Sequence, residues 1–200
     1  INVIKKKEDE IWIGSPQGLF RYNVNTDRIR YYSHDGQNPN TLSQNMITDV
    51  VVTGTHSLLV ATFKGLNVYN PLTDSFERIN LDSGGNTLNS DFINCLLSDG
   101  DIIWAGTAIG GVNKIGKRTL NLRNYSHSND QAGSISHNPI NAIYEDKAGG
   151  LWVGTVEGGL NYKCPGSETF LHYTTDAPAR LTHNSVSCFT EDNRNRLWIG

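Results

Sequence analysis

The sequence predicts an all-β fold built from a repeated four-stranded unit, and three observations support this prediction. A short apolar phrase that ends in glycine or alanine recurs at positions 14, 61, 106, 154 and 200, in steps of 47, 45, 48 and 46 residues. A second phrase, a leucine or isoleucine three residues before an asparagine or aspartate, starts at positions 42, 88, 135 and 181, in steps of 46, 47 and 46. The 20 glycines supply many tight turns. A four-stranded unit that repeats roughly every 40 to 50 residues is typical of a β-propeller blade.

Each repeat contains four predicted strands in the same order. The first strand follows the leucine–asparagine phrase, the second is the apolar phrase, the third follows a glycine turn, and the fourth contains aromatic residues. Short runs of Val, Ile and aromatic residues between Gly, Asn and Asp favour antiparallel hairpins, and no window keeps a helical period. First strands are predicted at residues 2–6, 46–52, 92–97, 139–144 and 185–190, and fourth strands at 29–32, 76–79, 122–125 and 170–173.

We predict a single domain over residues 1–200. Its repeat units are expected at about 1–33, 45–80, 91–126 and 138–174, with half a unit at 184–200. The chain begins in a first strand and stops at the end of the fifth apolar phrase. We therefore expect a fragment of a longer protein that holds an incomplete set of propeller blades.

Composition argues against several classes of function. The formal net charge is −3 and no basic stripe is present, so nucleic-acid binding is not expected. No apolar run is long enough to span a membrane. Cys95 and Cys188 share one position of the first strand with Asp49 and Ala142, which predicts small buried core thiols rather than a metal or redox site. No cofactor is expected.

Two repeated positions are interpreted as structural. A tryptophan column predicts large side chains that pack between neighbouring blades, with Leu59 as its exception. A glycine column, in which only Ala61 differs, predicts close approach of the backbone. The members are Trp12, Trp104, Trp152 and Trp198, and Gly14, Gly106, Gly154 and Gly200.

The recurring acidic positions and the recurring histidine positions each allow two interpretations. The pairs Glu145-Asp146 and Glu191-Asp192 could serve acid–base chemistry, but turn carboxylates that accept backbone N–H bonds explain their recurrence more simply. His137 and His183 could suggest a metal, but adjacent blades separate them and no third ligand stands out, so exposed loop histidines are favoured. No catalytic residue and no metal site is predicted.

Ligand-binding candidates lie in the loops that collect on one face of a propeller. The column before each first strand is Asn45, Asp91, Asn138 and Asn184, whose polar groups suit sugar hydroxyls and strand starts equally well. The turn after each second strand carries a variable column of Gln17, Lys64, Ile109 and Glu157, which the fold does not fix and which is the better candidate for specificity. The predicted ligand-binding residues are Gln17, Lys64, Glu157, His137, Asn138, His183 and Asn184.

Residues 140–146 and 151–162 resemble the two-component regulator propeller repeat, residues 185–200 resemble its first half, and residues 11–22 are close to it. The second unit departs at Leu59 and Ala61, and the third at Lys114-Ile115, where an aromatic is usual. The resemblance implies seven-bladed propellers in the periplasmic sensor region of a membrane-anchored, homodimeric hybrid histidine kinase. It also implies an oligosaccharide ligand and control of glycan-utilisation genes.

We accordingly predict a sensor segment that is not itself an enzyme, because the kinase domains of such a parent protein are not in this chain. Two alternatives remain open. One is a protein–protein scaffold without a small ligand. The other is a propeller lyase or glycosidase, which would need a catalytic constellation confined to a few units.

Overall fold

The computed structural model describes residues 1–53, 57–79, 88–100, 102–116, 122–176 and 181–200. Within these ranges the chain forms β-strands and no helix. The strands fall into five consecutive units. Unit 1 holds β1 (Val3–Lys7), β2 (Glu10–Ser15), β3 (Gly18–Asn23) and β4 (Arg28–Tyr32); unit 2 holds β5 (Ile47–Val52), β6 (Leu58–Thr62), β7 (Gly65–Asn70) and β8 (Ser75–Ile79). Unit 3 holds β9 (Ile93–Asp99), β10 (Ile102–Thr107), β11 (Val112–Gly116) and β12 (Leu122–Tyr125); unit 4 holds β13 (Ile140–Glu145), β14 (Leu151–Thr155), β15 (Leu160–Lys163) and β16 (Leu171–Tyr173); unit 5 holds β17 (Phe189–Glu191) and β18 (Leu197–Ile199).

Each of units 1 to 4 is an antiparallel sheet whose strands pair in chain order, and unit 5 is a hairpin. The predicted all-β fold with four-stranded antiparallel sheets is thus confirmed. The first strand of unit 5 starts later than predicted, because the amides of Ser187 and Cys188 both donate to the carbonyl of Gly200 and interrupt the ladder. None of the described segments is a helix long and apolar enough to cross a membrane.

The apolar core lies between consecutive sheets, in contacts that we call joints. Joint 1–2 contains the side chains of Trp12, Tyr32, Val60, Tyr69 and Phe76. Joint 2–3 is mostly aliphatic and joint 3–4 is mixed, with Trp104 and Phe170 as its largest members. Each inner sheet therefore buries one face against the sheet before it and the other against the sheet after it, which is the packing of propeller blades.

The tryptophan column follows these joints. Trp12 is fully buried in joint 1–2, and Trp104 is buried in joint 3–4. Trp152 is half-buried, and Trp198 is 56% exposed on the hairpin of unit 5. Burial of the indole thus depends on a following sheet that covers it.

The glycine column lies where two first strands meet. A Cβ at Gly106 would lie 2.6 Å from Cys95 Sγ of its own sheet and 2.6 Å from Ile140 Cγ2 of the next. Gly14 is enclosed in the same way by Val3 and Ile47.

The prediction of buried thiols at Cys95 and Cys188 is half right. Cys95 is buried, but Cys188 is exposed, because no further sheet in the described part of the chain covers it.

Short polar side chains tie neighbouring first strands together. Asn2 Nδ2 donates to Ile47 O at 2.7 Å, Thr48 Oγ1 to Ile93 O at 2.6 Å, and Asn94 Nδ2 to Ile140 O at 2.8 Å. Thr48 and Asn94 lie at irregularities of the β5–β6 and β9–β10 ladders, where one extra residue turns its side chain toward the next sheet. We call this series the first-strand ladder. It keeps the loop face of each unit in fixed register with its neighbour.

Candidate functional site

The turn after each second strand is held by a hydroxyl group. Thr62 Oγ1 donates to Gly65 O at 3.0 Å and accepts the amide of Lys64 at 3.0 Å. Ser15, Thr107 and Thr155 make the corresponding bonds in their units. The hydroxyl anchor is therefore shared by the four turns, but the turns of units 3 and 4 are one residue longer than those of units 1 and 2. The side chain that each turn presents also varies.

The linker before each first strand is also fixed from within. Asn45 Oδ1 accepts the amide of His34 at 2.6 Å, and Asn138 Oδ1 accepts the amide of His127 at 2.6 Å. Asn184 Oδ1 accepts the amide of Thr175 at 2.9 Å. The side-chain oxygens of the predicted ligand residues Asn138 and Asn184 thus accept amides of the linkers that precede their own first strands. This favours a structural role for both residues.

A buried asparagine in the third strand completes this framework. Asn67 Oδ1 accepts the amide of Ser43 at 2.7 Å, and its Nδ2 donates to Ser43 Oγ at 3.0 Å. Asn113 and Asn161 hold their linkers in the same way. Sequence reasoning missed these residues, although an asparagine at one position of the third strand in three units was a visible signal.

A groove opens on this framework at the mouth of joint 2–3. Its volume is about 440 Å³. It lies between the turn of unit 2, the linker that leads into unit 3, and the turn of unit 3, and we call it the 2–3 groove. Its lining comprises Gln44, Phe63, Lys64, Asn89, Ser90, Asp91, Phe92 and Ile109. Lys64 and Ile109 belong to the variable column, so the structure brings two of its four members to one site.

The apolar side of the 2–3 groove is open to solvent. Phe63 and Phe92 meet edge to face, with ring centroids 6.2 Å apart. Phe92 is 49% exposed and Ile109 is 62% exposed. An exposed aromatic pair beside an exposed isoleucine is a surface that gains free energy when an apolar ligand face covers it.

The polar side of the groove contains acceptors that lack donors. Asp91 Oδ1 and Gln44 Oε1 are both buried and have no hydrogen-bond partner among the described residues. The linker amide that would correspond to that of His34 lies outside those residues. Ser90 Oγ accepts the amide of Phe92 at 3.2 Å. Because the two unpartnered oxygens are not accessible from the groove, they belong to its buried wall and not to the surface that a ligand would contact.

The constellation is confined to one joint. The positions equivalent to Phe63 are Pro16, Ala108 and Val156, and those equivalent to Phe92 are Met46, Pro139 and Ser185. Phenylalanine thus occurs at both positions in the 2–3 groove alone. A feature that the repeat does not require is a better candidate for function than one that recurs in every unit.

The other predicted ligand residues lie outside this groove. Gln17 is exposed, and its carbonyl accepts the hydroxyl of Tyr31 at 2.7 Å. Glu157 is exposed at the turn of unit 4. His183 is exposed, as expected, and its Nδ1 accepts the amide of Ser185 at 2.9 Å. His137 is half-buried against Gly158, so for this residue the prediction of an exposed loop histidine is wrong.

In each acidic pair the aspartate acts as a turn acceptor, whereas Glu191 accepts the hydroxyl of Tyr144 at 3.2 Å and pairs with Lys147 at 3.2 Å. Asp146 Oδ1 accepts the amides of Ala148 and Gly150, and its Oδ2 accepts Trp152 Nε1 at 2.7 Å. Asp192 repeats this pattern, and the amide of Arg196 is the main cause that lowers its pKa to about 2. In the part of the chain that is described, no group of three or more His, Cys, Asp or Glu could hold a metal ion.

Residues 134–157 and 180–200 match the family model of the two component regulator propeller. The matched residues contain β13 and β14 of unit 4 and the hairpin of unit 5. The resemblance seen in the sequence is thereby confirmed over these residues. Among curated proteins, none matches this sequence.

Solved structures share the propeller fold of these repeats. The extracellular domain of a hybrid two component system from B. thetaiotaomicron superposes with a TM-score of 0.79 at 24% identity, over 98% of this chain and 25% of that one. A second such domain from B. thetaiotaomicron gives 0.75 at 20% identity, over 100% and 32%. PorZ, a surface component of the type-IX secretion system of Porphyromonas gingivalis, gives 0.66 at 14%, over 98% and 30%. The chain spans a quarter to a third of these structures.

Proposed function

We propose that this chain is a ligand-sensing segment in the extracellular, periplasmic region of a hybrid two-component histidine kinase. Its ligand is an oligosaccharide, and the intact receptor is a membrane-anchored homodimer that controls glycan-utilisation genes. The family match and the two B. thetaiotaomicron domains support the sensor role. The observation that supports a small-molecule ligand is the 2–3 groove, whose lining includes the exposed side chains of Phe92, Ile109 and Lys64.

The groove is suited to signalling because it spans two units. Its lining comes from the turns of units 2 and 3, from the linker between them and, through Gln44, from the linker that leads into unit 2. A ligand that contacts both turns favours one relative position of the two sheets and disfavours others. Such a preference is the differential binding that any ligand-driven shift of a conformational equilibrium requires.

A thermal-shift screen of the intact sensor region against purified oligosaccharides tests this function. Binding to the native state raises the melting temperature by mass action, by an amount that grows with ligand concentration above Kd. We expect one glycan class to raise it in a saturable way. A panel in which no glycan raises it, together with specific capture of a protein partner, would overturn the sensor assignment in favour of a scaffold.

A further inference from the structure

We propose that the outer part of joint 3–4 contains a binding site for an oxyanion (a carboxylate, sulfate or phosphate group), held by Lys114, Lys163 and Arg123. The site is separate from the 2–3 groove, and the proposed function does not require it. Lys114 and Arg123 belong to unit 3 and Lys163 belongs to unit 4, so a bound anion links two neighbouring sheets.

Lys163 is a buried lysine whose ammonium group lacks a counter-charge. The residue is 8% exposed, and none of the described residues forms a hydrogen bond or an ion pair with its Nζ, which lies 5.8 Å from the ring centroid of Tyr125. The Nζ atom is not among the unpartnered side-chain atoms that are closed off from solvent, so a ligand can reach it. Burial is the main cause that lowers the pKa of Lys163. The Glu168 carboxylate opposes this shift, but the like charges of Lys114 and Arg123 add to it.

Joint 1–2 contains a balanced version of the same arrangement. Arg21 Nη1 lies 3.6 Å from carboxylate oxygens of both Glu10 and Asp74. Arg30 pairs with Asp74 at 2.5 Å, and Arg21 also donates to the hydroxyl of Tyr69 at 2.5 Å. Two cations and two carboxylates therefore satisfy one another in joint 1–2 without any ligand.

Joint 3–4 lacks this balance, because a lysine replaces a tyrosine and an isoleucine replaces a carboxylate. The carboxylate that it does have, Glu168, already accepts Arg123 at 2.8 Å and the hydroxyl of Tyr125 at 3.0 Å. Among the described residues, three cations and one carboxylate leave a formal excess of two positive charges. The strand pairing gives the replacements: Lys114 for Arg21, Arg123 for Arg30, Lys163 for Tyr69 and Ile102 for Glu10.

The chemistry of these cations suits an oxyanion. Ammonium and guanidinium groups donate charge-assisted hydrogen bonds to carboxylate, sulfate and phosphate oxygens. Lys114 Nζ lies 5.2 Å from the ring centroid of Trp104, and the rings of Trp104 and Tyr125 are 6.0 Å apart, so the two ammonium groups lie over adjacent rings. An oxyanion beside them supplies the counter-charge that joint 3–4 lacks. The stem of Lys163 is already buried, so this residue loses little conformational freedom on binding.

The test is a thermal-shift titration of the intact sensor region with sulfate, phosphate and acetate, each compared with sodium chloride at equal ionic strength. Binding to the native state raises the melting temperature in a saturable way, and we expect this from at least one of the three anions. Lys163→Met and Lys114→Met should each weaken the apparent affinity by about tenfold or more. Lys6→Met removes the same charge from an exposed position of unit 1 and should leave the affinity within about twofold of the parent.

Two further comparisons identify the source of the effect. Sulfate and phosphate also stabilise folded proteins by exclusion from their surface, but this acts on the parent and the variants alike, so the difference between them reports the site. Glucuronate and glucose are titrated as well. A stronger response to glucuronate than to acetate, with none to glucose, would show that the site takes the acidic group of a sugar. Equal responses to glucuronate and acetate would show that it takes the free anion.

Lys163→Met also separates a ligand contact from a role in folding. It removes a buried cation without a counter-charge, so in chloride we expect the variant to melt at the same or a higher temperature than the parent. Lys163→Tyr, which introduces the residue of joint 1–2, should behave in the same way. Identical responses of the parent and the Lys163 and Lys114 variants would overturn the inference, as would an equal loss in Lys6→Met or the absence of a saturable response to every anion. Each of these results leaves the proposed function intact, because the 2–3 groove is not involved.

Discussion

Joints 1–2 and 2–3 occupy equivalent places in the fold but use their aromatic residues in opposite ways. In joint 1–2 the rings are inside: Trp12 stacks on Tyr32 at 5.8 Å and meets Tyr69 edge to face at 4.8 Å. In joint 2–3 Leu59 replaces the tryptophan, the interior is aliphatic, and Phe63 and Phe92 lie at the mouth. Unit 2, which lacks the core tryptophan of the repeat, therefore also contributes an aromatic residue to the surface.

The two joints also differ in how they hold a carboxylate. In joint 1–2, Asp74 accepts the hydroxyls of Tyr32 and Tyr69 and pairs with Arg30 at 2.5 Å. In joint 2–3, Asp49 is half-buried, and its Oδ2 accepts a backbone amide of the next sheet, that of Leu96 at 2.7 Å. Burial favours the protonated form of both groups. The hydroxyls and guanidinium groups around Asp74 outweigh this effect and lower its pKa, whereas the backbone amides and the Lys5 ammonium group near Asp49 do not.

The largest expected difference between the joints is the free energy of unfolding lost on truncation. Trp12→Ala should cost about 3–5 kcal/mol, because the indole is fully buried among rings, whereas Leu59→Ala should cost about 2–3 kcal/mol. Urea unfolding of the two variants measures both values. Equal losses would show that the aromatic joint is no more strongly packed than the aliphatic one.

The glycine column gives a second comparison of stability between the two joints. Gly14→Ala should cost about 1–3 kcal/mol, because its Cβ would lie 2.6 Å from Ile47 Cγ2 and from Val3 Cγ1. Ala61→Gly, the reverse change at joint 2–3, should cost only about 0.5–1 kcal/mol, from the added freedom of the unfolded chain. Denaturant midpoints measure both, and a Gly14→Ala variant as stable as the parent would refute the close approach.

Asp74 should make joint 1–2 more sensitive to acid. Burial opposes ionisation, but the hydroxyls of Tyr32 and Tyr69 and the Arg21 and Arg30 guanidinium groups outweigh it and lower the pKa of Asp74. Its stabilising effect is then fully present above the ordinary pKa of 3.8 and is lost as pH falls through the lowered value. Asp74→Asn should lower the melting temperature at neutral pH, and the difference from the parent should shrink as the pH falls below that ordinary pKa.

Asp49 should give joint 2–3 the opposite dependence of stability on pH, and this is the smallest of the expected effects. Burial raises the pKa of Asp49 despite the amides of Leu96 and Val50, so its contribution is greatest at low pH and is lost as pH rises through the raised value. Relative to the parent, Asp49→Asn should therefore become more stable as the pH rises from about 4 to about 7. Melting curves across this range check the sign, and a change that parallels that of Asp74→Asn would contradict it.

The repeat period was enough to predict the sheets because every unit repeats the same turn and strand chemistry. It was not enough for the first strand of unit 5, where a shared carbonyl delays pairing until Phe189. The sequence alone could not decide whether the asparagine column binds a ligand or holds the linkers, because its role depends on the path of the linker past His34 and His127.

The groove itself was not predicted from the sequence. Lys64 and Ile109 drew attention as members of a variable column, and Lys64 alone of the two was a predicted ligand-binding residue. Phe63 and Phe92 were missed because the positions beside the variable and polar columns were not considered for binding. The signal was a column in which one unit has phenylalanine and the others have small residues, proline or methionine. Its meaning needed the structure, because only there do the two rings meet at 6.2 Å.

The first-strand ladder has a consequence for how such a chain can grow. In units 2 and 3, donor and acceptor both lie within the first strand: Thr48 donates to unit 3, while the carbonyl of Ile47, one residue earlier, receives Asn2. A duplicated gene segment that encodes such a unit would therefore carry both halves of the connector, and the new copy could join its neighbours through the same bonds. Blade number could then change by whole units.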